Sequence, residues 1–355
     1  MSNTSTFFNQ SEELIVESST LSFDYAPIDV SASIFEYVNY VFLPLSIVMG
    51  TVGNFLTIVV MRSERFAGSP SSYLLIVLAI SDSVAILSQP FNKLFFIDLV
   101  GTDIRALHDI NCKLYIMIRR LSKMTSSWTV VGLCIERFIA VWFPLKAKLL
   151  ITKRSVSAFT LTVVAIIITY TGIWSYASKV VNGKCNPDVY NYTDPRERTK
   201  FGIMLQGGTA IYSNVPTVLL MILTTLIIIK LFQHRRKRRS LTQRPSSTSD
   251  QGGKITAMLI GIVIAYVILI LPITVLHNTA YQKRVKAFTE TSSGFSLFTE
   301  VVQLMEQLNY CLNFFLYIMT SRQFRETLFQ ILSSKCHCKR TTQLELPTDS
   351  KRTRY

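Results

Sequence analysis

Four stretches of this chain, residues 37–61, 155–178, 201–229 and 255–276, contain no Lys, Arg, Asp or Glu, and residues 71–92 contain only Asp82. Charged residues are 17% of the 355 while hydrophobic ones are 49%, which excludes a soluble domain of this size. A helix crossing a bilayer needs about 20 mostly apolar residues. The five stretches meet that length, and two further apolar segments are interrupted by charge. Residues 109–142 hold Asp109 at their start and then Lys113, Arg119, Arg120, Lys123, Glu136 and Arg137, and residues 294–320 hold Glu300 and Glu306. Charges at such depth must face protein or water rather than hydrocarbon. Also missing are a Walker loop, His-Glu-x-x-His, Gly-x-Ser-x-Gly and Cys-x-x-Cys, so no enzyme chemistry is expected. Cys336-His337-Cys338 has the wrong spacing for a zinc site by itself. No internal repeat marks transporter halves. Residues 1–33 lack a basic start and an apolar run, so the first span is expected to double as signal anchor.

Basic residues are distributed with one polarity. The first 35 residues have none against five acids, whereas the segments after spans one, three and five and the tail hold two, four, eight and eight. The positive-inside rule then puts the N-terminus outside and the tail in the cytoplasm. The formal charge of +15 is mostly this asymmetry, and no nucleic-acid partner is implied. The run from His234 to Arg239 resembles a nuclear localisation signal, but following a charge-free span it reads better as a collar on anionic lipid. Asn3, Asn9 and Asn191 head N-glycosylation triplets, all on the expected outer side. Four segments result: an extracellular glycosylated N-terminus (1–34), a seven-span bundle (35–320), an amphipathic helix (321–332) and a cytoplasmic tail (333–355). Phe324, Leu328, Ile331 and Leu332 share one face of that helix, the pattern of a helix lying in the membrane interface. Cys336 and Cys338 follow it beside Lys335 and Lys339, where palmitoylation and unmodified thiols are equal alternatives.

Of six cysteines, only Cys112, at the outer end of span three, and Cys185, in the second outer loop, are expected outside the membrane on the oxidising side, so they are the expected disulfide. Asp82 needs partners, a cation or a proton. Ser126, Asn309 and Asn313 offer oxygen and amide groups, and the two asparagines, four apart, share a helix face. A sodium pocket or a structural polar network both satisfy this set. Glu136-Arg137-Phe138, at the cytoplasmic end of span three and followed by Pro144-Leu145, suggests an ionic latch.

Gly53-Asn54, Leu78-Ala79-x-x-Asp82, Cys112, Glu136-Arg137-Phe138, Pro216, Pro272 and Asn313-Phe314-Phe315-Leu316-Tyr317, in this order, resemble the rhodopsin-like (class A) G-protein-coupled receptors. The resemblance implies an all-α membrane protein, a seven-transmembrane helix bundle with an interfacial eighth helix. It implies that Arg137 is a switch arginine held by Glu136 at rest, that Asp82, Ser126, Asn309 and Asn313 hold an allosteric sodium ion, and that Tyr317 swings inward on activation. Pro144 and Leu145 would lie in the loop that docks a heterotrimeric G protein. The departures are Phe138 for Tyr, Phe314 for Pro, Ile270 for the toggle Trp before Pro272, Tyr266 for Phe, Thr224 for Tyr, Gly252 for an acid, and no Trp near Val164 or Ala165. Span seven and the segment Pro144-Leu145-Lys146-Ala147-Lys148 are most similar to invertebrate neuropeptide receptors of the FMRFamide and myoinhibitory-peptide types.

In such receptors the ligand rests between the outer halves of the spans. Arg119, eighteen residues before Arg137, stands where amine receptors carry an Asp, and a cation there repels a protonated amine. Arg119, Arg120, Glu300, Gln303, Glu306, Gln307, Asn92, Lys93, His277 and Asn278 form an inventory suited to a peptide, with its amides and charged ends. A direct Arg119 to Glu306 ion pair across the bundle is expected, with Arg120 turning toward span four and His277 packed in the core. The expected function is a plasma-membrane neuropeptide receptor that activates a G protein, with tail hydroxyls phosphorylated by a receptor kinase to recruit arrestin. A chemosensory receptor for small molecules is the alternative within the family, and a transporter or channel the alternative outside it.

Overall fold

A computed structural model of the chain describes residues 30–92, 100–181, 183–187, 203, 206–241, 248–282 and 293–341. Lys93 and the acceptors Asn3, Asn9 and Asn191 lie outside these residues. The side chains of Asn92, Cys336 and Cys338 lie outside them too, although their backbone is helical.

Seven long helices make up the bundle: Val30–Met61, Pro70–Leu87, Asp109–Trp142, Lys153–Tyr176, Val215–Leu241, Thr248–Gln282 and Ser293–Thr320, called spans one to seven. Lipid offers no partner to a backbone amide, and a helix satisfies its own. Six of the seven have the length and apolarity to cross a membrane unaided. Span seven, which carries Glu300, Glu306 and three buried amide side chains, packs against spans one and six. Large apolar side chains such as Leu161, Ile166, Phe55 and Ile222 point outward, as lipid-facing residues do. The interior is built on Val60, Leu74, Leu78, Met124, Val131, Leu133, Ile227, Ile262 and Ile270. Hydroxyls in the spans bond back to their own helix: Thr57 donates to the Gly53 carbonyl (2.9 Å), Thr171 to Ile167 (2.8 Å) and Thr274 to Ile270 (2.9 Å).

Several boundaries differ from the apolar pattern. Span two stops at Leu87 because Pro90, which has no N–H, opens a tight turn over Pro90–Asn92. Span one begins at Val30, ahead of its apolar run, and span six at Thr248, inside a polar stretch that reads as a loop. The helix after span seven runs over Arg322–Thr341 rather than ending at residue 332.

Two local features position the site. Ala210–Asn214, just before span five, is a π-helical turn in which Val215 N–H reaches the Ala210 carbonyl. The next bond of that register would come from residue 216, a proline, so the Ile211 carbonyl has no backbone donor. The indole N–H of Trp128 on span three donates to it instead, at 3.0 Å. At Gly53, a Cβ would lie 2.9 Å from the Phe314 Cβ, so spans one and seven come this close at that point only because residue 53 has no side chain. Phe314 fills that contact.

Candidate functional site

The Cys112–Cys185 disulfide is present, with Cα atoms 5.4 Å apart. It fastens the start of span three to a hairpin of two antiparallel strands, β1 (Ser178–Val181) and β2 (Lys184–Pro187). Asp109 reinforces the joint by accepting from the Val180 N–H at 2.9 Å. From this end, a column of polar side chains descends between spans two, three, five and seven.

Arg119 is half-buried and donates to the Tyr115 hydroxyl at 2.8 Å. That hydroxyl donates in turn to the Ser88 carbonyl at 3.2 Å, and the Arg105 guanidinium lies over the ring, 5.3 Å from its centre. Arg120 leaves the column. Its guanidinium stacks on Trp174 of span four at 3.6 Å, a cation–π contact.

The expected Arg119 to Glu306 pair does not form. Glu306 is taken by Lys123, whose ammonium lies 2.8 Å from both carboxylate oxygens. Lys123 is one helical turn deeper than Arg119 and reaches span seven at the level of Glu306. Tyr212 of the π-helical turn donates to Glu306 Oε1, Tyr310 approaches the same oxygen at 3.4 Å, and the two phenols are 3.1 Å apart. Spans three and seven and the approach to span five thus meet on one carboxylate. A signal for this existed in the sequence: a lone ammonium in an apolar helix must find an acid, and Lys123 lies three residues before Ser126 as Glu306 lies three before Asn309. Of the other expected ligand residues, Gln303 is half-buried and Gln307 buried with neither amide atom bonded within the described residues. His277 is half-buried, and Asn278 exchanges amide hydrogen bonds with Asn214 at 3.1 and 3.3 Å.

One layer deeper, Asp82 is fully buried. Ser126 donates to its Oδ1 at 2.5 Å and the Asn313 amide to its Oδ2 at 2.7 Å. Asn309 is buried one turn before Asn313. Asn54 of span one donates to the Tyr310 carbonyl at 3.3 Å, which joins this layer to the Glu306 layer.

At the far end, Arg137 and Glu136 are held together mainly through a third residue. Ser71 of span two donates to Glu136 Oε1 at 2.5 Å and accepts from Arg137 Nη2 at 2.5 Å, while the direct Arg137 to Glu136 distance is 3.5 Å. Nothing in the sequence singles out Ser71, since a serine at a helix start reads as an ordinary cap residue. Phe138 packs on Trp142 and Phe143. Pro144 opens a short helix, Pro144–Leu150, that leaves Leu145 92% exposed. Tyr317 is buried with its ring against Phe324, which also touches Phe314. Glu326 on that last helix binds Arg322 at 2.7 Å and Arg65 at 3.2 Å. These hydrogen bonds, Arg322 first, hold its carboxyl below the ordinary range.

Residues 53–317 match the family described as 7 transmembrane receptor (rhodopsin family). The chain is 24% identical over 298 residues to growth hormone secretagogue receptor type 1 of Sus scrofa, covering 80% of this chain and 78% of that one. It is 25% identical over 374 residues to neurotensin receptor type 1 of Mus musculus, covering 97% and 86%. It is 24% identical over 323 residues to neuromedin-U receptor 2 of Mus musculus, covering 83% and 76%.

Proposed function

Since this chain belongs to the rhodopsin family of seven transmembrane receptors, we propose that it is a plasma-membrane receptor, its N-terminus extracellular, that binds a neuropeptide and activates a heterotrimeric G protein. The observation that carries the proposal is the succession of polar layers through the bundle: Arg119 near the disulfide end, the Lys123–Glu306 pair, the Asp82 cluster, and the Ser71-bridged Glu136 and Arg137 at the opposite end. Each layer joins at least two spans, so a ligand that changes the outer layer changes the packing below it. A ligand shifts such a bundle only by its differential affinity for two arrangements. The relatives named for neurotensin, neuromedin-U and growth hormone secretagogue support a peptide-type messenger.

In the resting arrangement Arg137 is occupied by Ser71 and Glu136. Activation frees this guanidinium to face the G protein beside the exposed Leu145. Asp82, Ser126 and Asn309 have the oxygen chemistry that sodium takes, and the Asn313 side-chain oxygen completes the set, so these residues fit a sodium ion that stabilises the resting state. Phosphorylation of the tail by a receptor kinase, followed by arrestin, would end signalling.

The test is reconstitution in lipid nanodiscs with purified heterotrimers and a screen of neuropeptides, reading GDP release, with calcium and cAMP as cellular readouts. At least one peptide should accelerate release, and Arg137→Ala should abolish the effect. A receptor that catalyses no exchange on any heterotrimer, with or without peptide, would rule the reading out.

A further inference from the structure

Three cations stand within two turns of span three, Arg119, Arg120 and Lys123, and among the described residues Glu306 pairs with Lys123 and not with Arg119. A carboxylate offers about four lone-pair sites. Lys123 takes one on each oxygen, and Tyr212 and Tyr310 converge on Oε1. Oε1 is thereby crowded by three donors and Oε2 is held by Lys123, and no bond joins either oxygen to Arg119. Asp103 is equally engaged, its two oxygens bound by Arg105 at 2.8 Å each. Glu300, six residues before Glu306 on span seven, makes no bond to Arg119. Arg120 spends its charge on the face of Trp174. Arg119 is left with a single bond among the described residues, to the neutral Tyr115 hydroxyl, out of the five N–H groups a guanidinium carries.

A guanidinium held half-buried inside a membrane bundle with no directly bonded anion is costly, and its planar fork matches a carboxylate with two parallel hydrogen bonds. Tyr115 holds it in place: its hydroxyl accepts from Arg119 and donates to Ser88, and its ring is covered by Arg105. We infer that the ligand of this receptor presents a carboxylate to Arg119, so that free-acid ligands are preferred over their amidated counterparts. This deepens the receptor reading and rests on it. The carboxylate completes the shortfall of negative charge beside the Lys123–Glu306 pair, and the gain in attraction is felt by a link that joins spans three and seven. Arg119 is then a specificity-determining residue rather than a structural one.

The experiment uses the full chain purified in nanodiscs, with N-acetyl-leucine and N-acetyl-phenylalanine as probes, each against its own amide, and thermal unfolding as readout. Both acids should stabilise the protein at concentrations at least about tenfold lower than their amides, as expected for a charge-assisted fork. Arg119→Gln should bring acid and amide within about twofold of each other. Arg119→Lys, which keeps the charge and loses the fork, retains the preference at reduced size and covers the case in which Arg119→Gln does not fold. Equal stabilisation by acid and amide, no stabilisation by either up to saturation, or a preference that survives Arg119→Gln each overturns the inference. Nucleotide exchange is measured on the same preparations. Exchange without an acid preference sinks the carboxylate and leaves the receptor reading standing, and an acid preference on a chain that drives no exchange does the reverse.

Discussion

Ser71 is the residue whose role is out of proportion to its chemistry. Its hydroxyl donates to Glu136 and accepts from Arg137 at 2.5 Å each, while the two charges themselves are 3.5 Å apart. Removing the hydroxyl leaves Glu136, whose other oxygen already has no partner among the described residues, in a buried site with a weakened contact. Ser71→Ala should therefore cost the resting arrangement about 1 kcal/mol and raise ligand-independent nucleotide exchange roughly fivefold, while Ser72→Ala, one position on, should not. An unchanged basal rate in Ser71→Ala would show that the bridge does not hold the switch. Glu136 and Arg137 were legible from their order along the chain; Ser71 was not, because serines crowd the start of span two and only the docking of span two on span three selects one of them.

Span five owes its entry to a helix defect. Pro216 removes the donor that the π-helical turn would need at the Ile211 carbonyl, and Trp128 replaces it from span three. Trp128→Phe leaves that carbonyl unpaired and should destabilise the purified protein by about 1–3 kcal/mol in thermal unfolding. In a Pro216→Ala background, where a backbone N–H is again available, the same substitution should cost distinctly less. Equal losses in both backgrounds would refute the exchange of donors. The proline is visible in the sequence, but the bulge and its external donor depend on which helix packs alongside. The same holds for Gly53 and Phe314. Each is readable as a departure or a match, and their contact at 2.9 Å from the position of a Cβ is a property of two helices together.

For the molecule as a whole, the Lys123–Glu306 pair ties together parts of the chain 183 residues apart in sequence, and Tyr212 joins it. Taking away one charge strands the other in a dry interior, a loss of about 3–5 kcal/mol, whereas replacing both with neutral groups of similar volume is close to neutral. Lys123→Met and Glu306→Gln should each depress unfolding temperature and surface expression sharply, and the double substitution should recover most of both. Additive losses would mean that the two residues do not interact energetically. Because this pair joins spans three and seven between the Arg119 layer and the Asp82 cluster, both single variants should also alter basal nucleotide exchange.

Helix count, helical fold, membrane placement and the disulfide were determined by the sequence alone, because each depends on local quantities: the length of an uncharged run, the spacing of a few marked residues, and the number of cysteines outside the spans. Tertiary structure decided which acid each cation meets. Arg119 and Lys123 are one turn apart on the same face, and both are plausible partners for Glu306 when only helix periodicity is known. The outcome is set by the depth of span seven against span three, a shift of a single helical turn, about 5.4 Å. Hydropathy does not resolve such a shift, but a buried carboxylate does, since it accepts only donors that arrive at bonding distance.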